Sequence, residues 1–179
     1  RMSKGDINRD GLEDFYVGGA KDQPGALFVQ ASDGAFKRTN QKLLEADRAS
    51  EDMGSTFFDA DGDGDLDLYV CSGGNEFSNV STALIDRLYL NDGKGNFSKS
   101  PQVLPTPAFE STSTVKPADY DGDGDLDLFV GGRLVATLYG IPMNSYILNN
   151  DGKGNFEEIT EQVAPGLKGV GMITDASWE

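Results

Sequence analysis

One nonapeptide occurs three times and constrains this chain more than anything else in it. It reads DINRDGLED from Asp6 to Asp14, DADGDGDLD from Asp59 to Asp67 and DYDGDGDLD from Asp119 to Asp127. Each copy has an acid or amide at positions 1, 3 and 5, a glycine at position 6 and an aspartate at position 9. The three segments hold 14 of the 30 Asp and Glu residues: Asp6, Asp10, Glu13 and Asp14 in the first, and five aspartates in each of the others. The other 16 acids nearly balance the 15 Lys and Arg, so almost all of the formal charge of -15 lies in these loops. Carboxylates packed so densely repel one another when compacted. A hard divalent cation taking several oxygen ligands removes that repulsion. The bland alternative, a solvated acidic run, explains neither the fixed spacing nor the glycine.

The spacing gives an expected ligand set. Positions 1, 3 and 5 are Asp6, Asn8 and Asp10, then Asp59, Asp61 and Asp63, then Asp119, Asp121 and Asp123. Side chains at alternate positions of a tight loop converge on one point. Gly11, Gly64 and Gly124 stand where a sharp turn needs a positive φ. Position 7 is Leu12, Asp65 or Asp125. Leu12 has no side-chain oxygen, so a ligand from position 7 is expected to be the backbone carbonyl. Asp14, Asp67 and Asp127 close the shell at position 9. An all-oxygen set favours calcium over zinc or copper, and magnesium would keep more water. An EF-hand needs an acid at position 12, where this chain has Val17, Val70 and Val130. About three calcium ions are expected, and their six positive charges would take the formal charge from -15 to -9.

Each loop exits into a strand pattern. Leu66, Leu68 and Val70 alternate with Asp67, Tyr69 and Cys71, and Leu126, Leu128 and Val130 with Asp127 and Phe129; Phe15 and Val17 keep the register after loop one. A second element follows each loop: Ala26–Gln30 leading to Asp33-Gly34, Arg87–Asn91 leading to Asp92-Gly93, and Ser145–Asn149 leading to Asp151-Gly152. Each reads as strand, Asp-Gly hairpin turn, strand. The loop starts lie 53 and then 60 residues apart. Four short antiparallel strands in about 60 residues describe a β-propeller blade. The expected fold is therefore all-β, an incomplete propeller. Its units are 1–50 as a partial blade, 51–110 and 111–168 as whole blades, and 169–179 as the first strand of another. Gln41 to Arg48 is the one helix-period stretch singled out, long enough for a turn or two.

Composition excludes several function classes. There is no His, so this chain alone builds no Ser-His-Asp triad, Cys-His pair or His-ligated zinc site. Cys71 is the single cysteine, forms no internal disulfide and is expected as a buried strand residue. Strong acidity argues against nucleic acid and anionic membranes, and no apolar run is long enough to insert in a bilayer. The chain opens at Arg1, so it is expected to be a piece of a longer protein, and a missing signal says nothing about secretion. Further blades would come from the rest of that protein or from other copies of the chain.

The runs ADGDGDLDLYV (60–70) and YDGDGDLDLFV (120–130), with LYLNDGKGNF (88–97) and YILNNDGKGNF (146–156), resemble the FG-GAP/VCBS repeats. The stretches VGGRL, SYILNNDGKGNF and APGLKGVGMITDASWE look like the secreted bacterial proteins and cartilage acidic protein that join such repeats to an ASPIC/UnbV domain. The resemblance implies calcium-loaded propellers, as in integrin α-subunit heads, with calcium held by side chains 1, 3, 5 and 9 and the position-7 carbonyl. This chain departs from it in lacking the Phe-Gly and Gly-Ala-Pro doublets and an ASPIC/UnbV domain, and in carrying Asn8 and Arg9 in loop one.

The long connections Gly73–Ile85 and Gly132–Asn144, with Asn75, Glu76, Phe77, Arg133, Leu138 and Tyr139, either carry binding or pack on neighbours. Asn79-Val-Ser81 and Asn96-Phe-Ser98 match glycosylation sequons, for which chance is the readier explanation. The expected function is a non-catalytic calcium-stabilised segment, extracellular, cell-surface or periplasmic, contacting a protein or carbohydrate ligand. The rival is the propeller of a calcium-dependent polysaccharide lyase. A calcium switch is disfavoured by rigid, strand-flanked loops with no bistable helix pair.

Overall fold

Every acidic loop joins the first strand of a four-stranded meander to the second. A computed structural model describes residues 2–78, 80–104, 109–138 and 140–179; Asn79 and Tyr139 lie outside them. The first sheet is β1 (Met2–Gly5), β2 (Asp14–Val17), β3 (Ala26–Gln30) and β4 (Phe36–Thr39). After α1 (Gln41–Ala46) comes a second sheet, β5 (Glu51–Phe58), β6 (Asp67–Gly73), β7 (Arg87–Leu90) and β8 (Ser98–Lys99). The third is β9 (Ser111–Ala118), β10 (Asp127–Leu134), β11 (Tyr146–Asn150) and β12 (Phe156–Glu158), followed by α2 (Thr160–Val163). Strands are hydrogen-bonded in chain order within each sheet, and every pairing is antiparallel. The all-β expectation holds. The first unit differs from the partial blade expected, because β1 completes its four strands.

The sheets stack in chain order, and alternation along β6 shows how. Leu68 and Val70 point into a core shared with Ile7 of loop one and with Tyr16 and Leu27 of the first sheet. Tyr69 and Cys71 point into a core shared with Val115, Leu128, Val130 and Tyr146 of the third. All seven residues of β6 are therefore buried, although an alternating strand is usually wet on one face. Each such Leu or Val contributes about 1.5–3 kcal/mol of burial, so two apolar layers hold the stack. Cys71 is buried as expected. The stack is open at both ends. Phe15, Phe28 and Phe36 cluster on the outer face of the first sheet, and Phe129 lies with Ile147 and Trp178 on the outer face of the third.

Residues 169–179 contain no strand, contrary to expectation. They nevertheless run beside β9. The Ile173 amide donates to the Gly132 carbonyl (2.9 Å), Ser113 Oγ to the Ile173 carbonyl (2.6 Å) and Trp178 Nε1 to the Lys116 carbonyl (3.1 Å). The two long connections pack against each other: Phe77 and Leu84 meet Ala136, and the Thr137 amide donates to Asn75 Oδ1. No helix among the described residues is long and apolar enough to cross a membrane.

Candidate metal centres

The loops are built by aspartates accepting from their own backbone. In loop two, Asp59 accepts from the amides of Gly62 (2.8 Å) and Gly64 (3.0 Å), Asp61 from Asp63 (3.3 Å) and Asp63 from Asp65 (2.9 Å). Loop three repeats this with Asp119, Asp121 and Asp123. Loop one does so with Asp6, Asn8 and Asp10. These local bonds favour a tight turn over helix or strand. The position-6 glycines have φ of 83°, 84° and 100° in loops one to three, as expected. Position 4 is also left-handed, in Gly62, Gly122 and the non-glycine Arg9, a demand that the sequence signalled only through its two glycines.

The turns draw three carboxylates together. Oxygens of Asp59, Asp61 and Asp67 lie within 4.8 Å of one another, and so do those of Asp119, Asp121 and Asp127. These two clusters, at positions 1, 3 and 9, are able to hold a metal ion. The position-5 residues Asp63 and Asp123 stand outside the trios. In loop one Asn8 replaces the position-3 acid and its side-chain amide donates to Asp10 Oδ2 (3.0 Å), so that loop offers fewer carboxylates.

Position 9 is the anchor. Asp67 accepts from the amides of Ala60 and Asn91, both at 2.8 Å, and is almost fully buried. Asp14 and Asp127 are placed alike, accepting from Ile7 and Gln30 and from Tyr120 and Asn150. Burial is the main cause that pushes the Asp67 carboxyl up to about 7, against the lowering effect of its two amide donors. Burial likewise raises Asp14 and Asp127. Position 7 is different. Asp65 and Asp125 belong to neither trio, and each has a buried Oδ1 without a hydrogen-bond partner. Burial and then the neighbouring position-5 charge push both to about 6.

Three contributors are not legible as such in the sequence. Asn91, the residue after β7, and Asn150, the last residue of β11, donate from the side chain to a preceding loop, at the carbonyls of Ile7 (2.7 Å) and Ala60 (2.8 Å). Counting along the sequence aligns Asn91 with Asn149. The pairings Leu68 with Tyr89 and Leu128 with Leu148 make Asn150 the true counterpart. The signal is the Asn before the Asp92-Gly93 and Asp151-Gly152 turns. Arg9 is the third: its guanidinium crosses to loop two and donates to the Asp63 carbonyl (3.3 Å).

The repetition of loop, strand and turn is matched by an FG-GAP-like repeat model over residues 6–70 and again over 72–130. The chain belongs to the FG-GAP-like repeat family. Each matched repeat ends on the valine at position 12 of an acidic loop, Val70 or Val130, so the family unit is offset from the sheets. No curated protein matches the chain.

Proposed function

We propose that this FG-GAP-like segment is a calcium-stabilised, non-catalytic part of a propeller of the VCBS type, working outside the cytoplasm as a scaffold for adhesion or carbohydrate contact. The carrying observation is the pair of carboxylate trios, Asp59/Asp61/Asp67 and Asp119/Asp121/Asp127, each anchored by a buried aspartate that burial pushes toward its neutral form. Calcium supplies the positive charge that keeps such a carboxylate ionised, and the oxygen-only donor set suits it. Asp63 and Asp123 and the carbonyls of Asp65 and Asp125 complete the proposed shells. In loop one the shell is Asp6, Asn8, Asp10, the Leu12 carbonyl and Asp14. The exposed aromatic faces of the first and third sheets suit further blades, in a protein resembling those that carry ASPIC/UnbV domains.

The test is thermal melting in EDTA, then in calcium or magnesium. Binding to the folded state alone stabilises by about 2.7 kcal/mol per site at a hundredfold saturation, so calcium should raise the midpoint and magnesium raise it less. An unchanged midpoint overturns the reading. Incubation of the same preparation with acidic polysaccharides, followed by absorbance of unsaturated products, tests the lyase alternative.

A further inference from the structure

The second sheet carries a pair of cations that its neighbours lack. Arg87 opens β7 opposite Val70, and the same register places Ala26 and Tyr146 in the first and third sheets. Lys99 on β8 pairs with Tyr89, where the other sheets have Arg38 and Glu158. A sheet of this kind therefore closes without the pair. One hydrogen-bonded line joins the two: Arg87 Nη1 donates to Tyr89 Oη (3.5 Å), Tyr89 Oη to Asp47 Oδ2 (2.8 Å) and Lys99 Nζ to Asp47 Oδ1 (2.6 Å).

Both cations line a cavity of about 510 Å³, within the range of about 300–1,000 Å³ usual for small-molecule sites. The acids lining it are fully engaged. Asp47 takes Lys99 on one oxygen and Tyr89 on the other. The buried Asp86 takes the Ser72 amide and the Thr112 hydroxyl on one oxygen and Tyr69 on the other. The bases are not fully engaged. Arg87, 5% exposed, gives one N–H from Nε to Ser72, one from Nη1 to Tyr89 and one from Nη2 to Asp52. A guanidinium has five donors, so one N–H on each terminal nitrogen has no acceptor among the described residues. Lys99 gives one of its three donors to Asp47. A buried donor without an acceptor is costly, and two N–H groups on the two ends of a planar fork suit a carboxylate. The hydroxyls of Ser50, Ser81, Thr82 and Ser100 line the same cavity. We propose that this cavity binds a uronic acid sugar, with its carboxylate between Arg87 and Lys99 and its ring hydroxyls on the serine and threonine hydroxyls.

The site rests on the carbohydrate-contact reading and names its class of sugar. It shares no residue with the acidic loops. The test titrates the isotope-labelled chain, in calcium at fixed ionic strength, and follows its amide and arginine Nε–H resonances. The probes are methyl glucuronide, its neutral analogue methyl glucoside, and acetate as the carboxylate alone. Saturable shifts at Ser50, Leu88, Ser100 and the Arg87 Nε–H are expected with the glucuronide and none with the glucoside. Acetate should bind the same place about tenfold more weakly, since it leaves the hydroxyls without partners.

Arg87 also holds Asp52, so its substitution risks the fold. Lys99 is the safer probe, with a side chain 47% exposed. Lys99→Gln should weaken the glucuronide about tenfold and leave the Arg87 Nε–H resonance of the free chain in place. A glucoside or acetate that binds as tightly as the glucuronide, or an affinity unchanged in Lys99→Gln, overturns the proposal. Glucuronide shifts confined to Gly62, Gly64, Gly122 and Gly124 would put the sugar on the metal loops, so that this site falls and carbohydrate contact stands. No shift with either sugar removes both, while the calcium-stabilised scaffold is judged by the melting test alone.

Discussion

Asn150 and Ala60 lie 90 residues apart, and the side-chain amide of the first donates to the carbonyl of the second at 2.8 Å. The same amide reaches the Leu126 carbonyl at 3.1 Å, while Asn150 Oδ1 accepts from the Asp151 amide at 2.9 Å. One buried side chain therefore ties together its own loop, the loop before it and its own turn. Asn91 does the same one sheet earlier, with Ile7, Leu66 and Asp92. Asn150→Ala strands two carbonyls, at about 1–3 kcal/mol for each buried group left unpaired. Urea denaturation in calcium should show a loss of about 2 kcal/mol or more. A loss inside the scatter of ordinary surface substitutions would show that the contact between the second and third sheets does not depend on this residue.

A second tie is ionic. Arg87 on β7 pairs with Asp52 on β5, with both side chains about 5% exposed or less. Asp52 also accepts from Tyr16 Oη (2.6 Å) and the Gly19 amide (2.7 Å) in the first sheet, so the pair joins two sheets. Removing one member of a buried pair typically costs about 3–5 kcal/mol, because the other charge stays buried. Arg87→Met should therefore lower stability by about 3 kcal/mol. The double variant with Asp52→Asn should recover part of the loss. If the two losses simply add in chemical denaturation, the pair is not coupled.

How far these features were legible varied with their range. The acidic loops were readable because each is closed by its own residues: Asp59 meets Gly62 and Gly64 within five positions. Four strands per unit followed from alternation and the Asp-Gly turns. Burial on both faces of β6 was not legible, since alternation alone does not show that the polar-looking face, Tyr69 with its hydroxyl on Asp86, meets another sheet. The trio of positions 1, 3 and 9 without position 5 was not legible either, because spacing alone does not give the side-chain directions that decide which oxygens meet. Arg9 read as a departure from the loop pattern. Its target, the Asp63 carbonyl, lies 54 residues away and depends on how the sheets stack.

The buried carboxylates predict opposite pH trends with and without metal. In EDTA, Asp67 at about 7 and Asp65, Asp125 and the fully buried Asp86 at about 6 hold protons that an unfolded carboxylate releases near 4. Between those limits the folded state binds more protons than the unfolded one, so stability falls as pH rises. Acidification from about pH 8 to pH 5 should therefore raise the melting midpoint in EDTA. In calcium the loop carboxylates are held ionised and protons compete with the ion, so the same acidification should lower it. Parallel curves under the two conditions would mean that the trios bind no cation.

The sharpest contrast lies within loop two. Asp61 belongs to the trio with Asp59 and Asp67, so Asp61→Ala takes a charged ligand out of the proposed shell. Asp65 belongs to no trio, and its side chain lies against Gly93. If it gives the ion only its carbonyl, as Leu12 must in loop one, Asp65→Asn leaves the shell whole. Charged hydrogen-bond partners are worth about 1.5–3 kcal/mol, which sets an expected loss of calcium affinity of about tenfold or more for Asp61→Ala. Asp65→Asn should change it by less than about threefold, within the 0.5 kcal/mol or so of a neutral substitution. Asp63→Ala adds a third point: it removes both the proposed position-5 ligand and the acceptor of the Asp65 amide, so it should resemble Asp61→Ala. Isothermal titration of the three variants decides the matter. Equal losses at Asp61 and Asp65 would mean that the position-7 side chain ligates the ion, and the alternate-residue geometry on which the metal assignment depends would be wrong.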